Sequence, residues 1–167
     1  MIDPTAADAG TPQRLDGGVA YTGALEQLFG LARHQVAILS HALPRDIYGA
    51  QAVVDRMQTF LLGSPRAQVR VLVHQPDLAM RRAHRFVELA RRLSSRVEFR
   101  QLAEEHRSTS EEYVIADEQA LLYKENHDQL SAIWRPNSPL DARLKLRAYE
   151  ELWNGATPAR EFYALGL

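Results

Sequence analysis

The sequence predicts an α/β domain: a mixed, mostly parallel β-sheet flanked by helices, closed by a C-terminal β-hairpin and a helix. Three observations carry this. Short β-rich runs alternate with helical stretches through the first two thirds of the chain, the grammar of strands joined by crossover helices. Two apolar runs separated by very little then mark a hairpin. The chain of 167 residues, 46% apolar and 25% charged, is one ordinary domain in length and composition.

Each element has its own signal. Residues 1–18 are polar, rich in Gly, Pro, Asp and Thr, and without periodicity, which predicts a disordered lead-in before a domain at 19–167. Thr22 reads as a helix cap before Leu25, Leu28, Phe29 and Ala32, which share one helix face. Gln35–Ser40 reads as a buried strand, breaking into a loop at Ser40-His41-Ala42-Leu43-Pro44. A second helix puts Val53, Val54, Met57, Phe60 and Leu61 on one face and stops at Gly63, Ser64 and Pro65. Val69–Val73 is the next strand, and His74-Gln75-Pro76-Asp77 the loop after it. One helix over 77–93 turns Ala79, Ala83, Phe86, Val87, Ala90 and Leu93 inward. Val97–Arg100 is a third strand. Tyr113–Asp117 and Gln119–Tyr123 form the hairpin around Asp117-Glu118, and Ser131–Trp134 adds a strand before Pro136. In the last helix, from Pro139, the spacing of Leu140, Leu144, Ala148 and Leu152 predicts the buried stripe. Tyr149 and Trp153 lie beside it, and they, Phe162 and Tyr163 read as core.

Composition excludes several chemistries. With no cysteine there is no thiol nucleophile, Cys-based zinc site or disulfide framework. A net charge of −1 argues against a general electrostatic nucleic-acid binder. No apolar run approaches a membrane span or a signal peptide, and Lys124 and Lys145 are the only lysines among 20 basic residues. Together these predict a bacterial cytoplasmic protein. The six histidines lack helix i, i+4 pairing, so no metal and no cofactor is predicted.

The polar residues that remain sit at strand ends, where open α/β sheets place ligands. Ser40, His41, His74, Gln75 and Asn126 are the candidate cleft, with Asp117 at the end of a further strand; their ordinary role is turn forming and capping. Arg81, Arg82, Arg85 and Arg92 lie opposite the apolar stripe of helix 77–93, a solvated face or an anion surface. No aromatics interleave them for base stacking, so nucleic acid is a weak alternative.

Three stretches in order resemble a phospholipase D-like domain, from about Tyr21 to Trp153: Ala37-Ile38-Leu39-Ser40, Val69-Arg70-Val71-Leu72-Val73 and Tyr149-Glu150-Glu151-Leu152-Trp153. The resemblance implies a single-domain bacterial branch of that superfamily. Active members carry a His-x-Lys-x4-Asp motif before the hairpin: the histidine attacks phosphorus or protonates the leaving group, and the lysine neutralises phosphate oxygens. Counting back from Asp117 puts Ser110 at the histidine position and Glu112 at the lysine position, so only Asp117 matches. The trailing Gly-Ser-x-Asn stretch is represented at most by Asn126 in Tyr123-Lys124-Glu125-Asn126.

The resemblance therefore implies a catalytically inactive domain, a binding or regulatory module for a protein or small-molecule partner. The alternatives are a hydrolase with a non-standard site built from Ser110, Asp117 and His41 or His74, and weak nucleic-acid binding through helix 77–93. It also implies a homodimer about the motif strands, opposed by Glu111 and Glu112 facing their copies across a dyad unless arginines bridge them or they are partly protonated.

Overall fold

The computed structural model describes residues 11–162. Tyr163 and residues 1–10 lie outside the described residues, as does the side chain of His84. In chain order the elements are β1 (Gln13–Asp16), α1 (Gly18–Leu31), β2 (Gln35–Ser40), α2 (Arg45–Tyr48), α3 (Gln51–Gly63) and β3 (Gln68–Val73). Then come α4 (Pro76–Arg82), α5 (His84–Arg92), β4 (Val97–Gln101), β5 (Glu112–Ala116), β6 (Ala120–Lys124), β7 (Ser131–Arg135), α6 (Pro139–Gly155) and β8 (Thr157–Pro158). Single 3-10 turns occupy Glu104–His106 and Arg160–Phe162.

All eight strands form one mixed sheet in the order β1-β7-β6-β5-β2-β3-β4-β8. The parallel part is β2-β3-β4, whose connections run through helices. From β5 outward every neighbour is antiparallel, because hairpins and short loops reverse the chain. Alternation along β2 splits the core in two. Val36 and Ile38 join a large cluster with Leu25, Leu28, Met57 and Phe86 of the helices on one face. Ala37 and Leu39 meet Ala142, Leu146, Tyr149 and Trp153 of α6 on the other.

Four local expectations are corrected. Residues 13–16 are not a lead-in: they pair antiparallel with β7 in a register running from Gln13↔Trp134 to Asp16↔Ser131. Four residues with one inward position, Leu15, give no readable period, and pairing supplies the order. Thr22 is no cap. Helix α1 starts at Gly18, and the Thr22 hydroxyl donates to the Gly18 carbonyl one turn back, 2.8 Å.

The single helix over 77–93 is two, broken at Ala83, whose ψ of 46° leaves the helical range. The break lets α4 pack on the 3-10 turn at Arg160–Phe162 while α5 packs on α3. Finally, α6 is rotated from its expected face. Leu140 and Leu144 are 71% and 56% exposed, and the buried stripe is Ala142, Leu146, Tyr149 and Trp153. Turning two aromatics inward removes more apolar area from water than turning two leucines. Tyr149 then stacks with Trp153 at 6.0 Å and donates its hydroxyl to the Arg70 carbonyl, 3.0 Å.

Candidate functional site

Strands β2, β3 and β4 are parallel, so Ser40, Val73 and Gln101 end on one rim of the sheet. Strand β5 runs against β2, with Leu39 opposite Tyr113, which brings its first residue, Glu112, to the same rim. Lys124 closes β6 directly opposite Glu112. The loop after β6 then folds back, its His127 N–H donating to the Ser110 carbonyl, 2.8 Å.

Glu112 is 4% exposed and held on one side by Ser40 and His41. The Ser40 hydroxyl donates to Oε1 at 3.0 Å and the His41 backbone N–H at 2.6 Å, while Leu43 N–H donates to Ser40 Oγ at 3.0 Å. Burial pushes the Glu112 carboxyl above its ordinary range; the His41 N–H, the Ser40 hydroxyl and the charge of Lys124 pull against that rise. Lys124, 8% exposed, places its ammonium 4.7 Å from the centre of the Tyr21 ring. Tyr21 in turn shares a hydrogen bond with Tyr48 inside the core.

Beside this lock three imidazoles meet. His41 and His127 stack at 4.0 Å with planes 2° apart, and His74 lies 5.0 Å from His41. The Gln75 amide nitrogen is 3.0 Å from His41 Nε2. His41 Nδ1 is buried and has no hydrogen-bond partner among the described residues. Burial and then the charges of His41, His127 and Arg107 push His74 down to about 4. His41 is lowered by burial, then by His127 and Arg82, against Asp128. A metal bound by imidazole lies in the ring plane, and parallel planes share no such point, so His41 and His127 do not chelate one ion as stacked.

Next to the histidines opens a cleft of about 490 Å³, lined by His41, His74, Gln75, Arg81, Gln101 and Arg107 among others. His41, His74 and Gln75 line it, while Ser40 is fully buried next to His41 and bonded to Glu112. Asn126 is in the neighbouring loop, where its Oδ1 caps Asp128 N–H at 3.0 Å. His127, Gln101 and Arg107 escaped the sequence reading. Gln101 ends a strand and so carried a signal, but the other two reach the rim only through loop paths.

Two expectations about the site are corrected. The non-standard triad does not assemble. Asp117 sits at the far end of β5, about 16 Å along the strand from Glu112 at 3.3 Å per residue. There it accepts the backbone N–H groups of Arg33, His34 and Gln35 at 2.9–3.0 Å. The Ser110 hydroxyl donates to the Glu125 carbonyl, 3.2 Å, and no histidine nitrogen bonds it among the described residues. Nor do Glu111 and Glu112 face outward as bare charges. Lys145 Nζ reaches both Glu111 oxygens at 3.0 Å and the Tyr123 hydroxyl donates to it at 2.9 Å, so the repulsion expected to oppose a homodimer is already answered within the chain. The arginines divide as well: Arg81 faces the cleft from α4, while Arg85 on α5 reaches toward the Gly49 carbonyl at 3.4 Å. Arg82 and Arg92 are exposed on separate helices.

Residues 19–165 match a family model described as a domain of unknown function, DUF7931. The chain belongs to the DUF7931 family. No curated protein matches it. Among solved structures the DUF7931 chain is similar to Nuc from Salmonella typhimurium, a phospholipase D family member, at TM-score 0.60 and 12% identity, covering 89% of this chain and 98% of that one. It is similar to phosphatidylserine synthase from Haemophilus influenzae Rd KW20 at 0.61 and 11%, covering 94% and 41%. It also resembles TrmBL2, an archaeal chromatin protein that binds DNA, at 0.62 and 14%, covering 88% of this chain but about half, 54%, of that one. The fold of this DUF7931 domain is therefore phospholipase D-like. No helix among the described residues is long and apolar enough to cross a membrane.

Proposed function

We propose that this domain does not hydrolyse phosphodiesters and is a binding or regulatory module, with its ligand at the histidine-lined rim. The observation that carries the reading is the placement of Glu112. Where the resemblance implies a lysine to neutralise phosphate oxygens, a carboxylate is buried and tied to Ser40 and His41. An ionised carboxylate about 4 Å from a phosphate oxygen repels it by roughly 4 kcal/mol at an effective dielectric near 20. That is about a thousandfold in rate. The Ser110 hydroxyl, at the nucleophile's position, donates to the Glu125 carbonyl, and among the described residues no hydrogen bond ties it to a base.

The partner in this reading is a small molecule or a protein in the bacterial cytoplasm. DNA binding belongs to TrmBL2; here the arginines fall on two separately oriented helices and the net charge is −1, which favours neither nucleic acid nor an anionic membrane. The test is turnover of bis(p-nitrophenyl) phosphate and of phosphatidylcholine vesicles, with and without divalent metal. Rates at background are expected. Turnover above background that disappears in both Ser110→Ala and His74→Gln overturns the proposal.

A further inference from the structure

The cleft beside the histidines carries an inference about its ligand, and it rests on the non-hydrolytic reading of this rim. We propose that the cleft binds a small dianionic oxyanion, inorganic phosphate or the phosphoryl group of a monoester, and takes up a proton on His74 as it does so. Ser110, Glu112 and Lys124, at and around the motif positions, are not among the residues that line this cleft.

Arg81 comes from α4 and Arg107 from the loop after the 3-10 turn at Glu104–His106, so two guanidinium groups belong to the lining. No ion pair engages Arg81 among the described residues, and Arg107 meets only the exposed Glu104 at 3.8 Å. Guanidinium forks fit the oxygens of a tetrahedral anion. His74, 7% exposed, adds a ring that is neutral in the free protein.

Charge balance makes the proton part of the binding. On the α4 side the groups facing the rim are Asp77, Arg81 and Arg82, and on the β4 side Glu104 and Arg107. From β2 comes His41; from β5 and the loop after β6 come Glu112, His127 and Asp128, the last two paired at 3.1 Å. Among the residues lining the cleft two guanidinium groups, Arg81 and Arg107, face one carboxylate, Asp77, and His74 is kept neutral first by its burial and then by the repulsion of the two neighbouring imidazoles and Arg107. A dianion between the arginines cancels that repulsion and offers an acceptor to the imidazolium. Burial of His74 then favours the fully paired state over a half-neutralised one. By linkage, affinity tightens by up to about tenfold for each pH unit lost between the free and bound pKa of His74.

Sulfate is the decisive probe, because it stays a dianion across the range in which phosphate itself titrates. The full chain is titrated with sodium sulfate, inorganic phosphate and phenyl phosphate at constant ionic strength, following the histidine ring signals by NMR. Saturable shifts of His74 and His41 are expected, with sulfate tighter at about pH 6 than at about pH 8. Arg81→Gln and Arg107→Gln each weaken binding severalfold, while Arg91→Gln, on α5, leaves it unchanged. Phenyl phosphate binding more tightly than phosphate assigns the site to a monoester, and the reverse order assigns it to the free ion. Sulfate affinity independent of pH, no saturable shift by ~50 mM, or binding that survives the double arginine variant overturns the proposal, the last as an adventitious ion only. Diester turnover sinks the non-hydrolytic reading without touching these titrations, so the two failures are distinguishable.

Discussion

Replacing Glu112 separates what its shape does from what its charge does. Glu112→Ala removes the acceptor for the Ser40 hydroxyl and the His41 N–H and leaves both without a partner in a buried place. Each orphaned donor costs about 1–3 kcal/mol, so a loss of about 2–5 kcal/mol is expected. Glu112→Gln keeps a carbonyl oxygen for both donors and discards only the charge. Burial holds the folded carboxyl above its ordinary 4.5, so the fold prefers the neutral form. The sign follows: the contribution of this group is fully present below 4.5 and is lost as pH rises through the folded value. The glutamine variant, permanently neutral, does not lose it. Urea unfolding followed by the fluorescence of the buried Trp134 and Trp153 reads both effects. The alanine variant is expected to unfold at clearly lower urea, and the glutamine variant to equal or exceed wild type at neutral pH, with its advantage growing above 4.5. Equal losses for the two substitutions, or a glutamine advantage that shrinks as pH rises, would refute the reasoning.

Three other predictions follow from the same geometry. His74 is held down from 6.5 to about 4, so its stabilisation is present above 6.5 and is lost as pH falls through about 4. That fall corresponds to about 3 kcal/mol, and His74→Gln is expected to flatten the acid limb of the stability curve by a comparable amount. On α6, Leu146→Ala is expected to cost about 2–5 kcal/mol and Leu144→Ala under about 0.5 kcal/mol, read by thermal unfolding; the opposite order would restore the face expected from the sequence. Asp117→Ala removes the acceptor of three backbone N–H groups at the entry to β2 and is expected to cost about 2 kcal/mol, like the loss of a strong helix cap. Because it lies at the other end of the sheet, the sulfate response of the histidine signals is expected to stay unchanged.

Much of the fold was legible because each central element carries its own period. Val36-Ala37-Ile38-Leu39 is apolar on both faces and Val69–Val73 on all but Arg70, as strands covered by helices must be, and Asp117 supplies the positive-φ turn residue of the hairpin, at φ 54°. The face of α6 was not legible. Its sequence offers two apolar stripes, and Tyr113, Leu39 and Leu72 on the sheet decide between them. The same holds for β1, whose order comes from pairing with the β7 edge and from Leu15 packing on the core.

For the site, the sequence by itself determined the residue types: Ser110 and Glu112 stand where the resemblance implies histidine and lysine. It also determined that His41, His74 and Gln75 follow strands, because parallel strand ends share one rim. Only the tertiary structure decided that Asp117 belongs to the opposite rim, that Glu112 is tied into the core, that His127 stacks on His41 and that Arg107 lines the cleft. The physical reason is that strand direction and loop path set which side chains meet. Local periodicity carries neither of them, since antiparallel β5 reverses the rim to which each of its ends belongs.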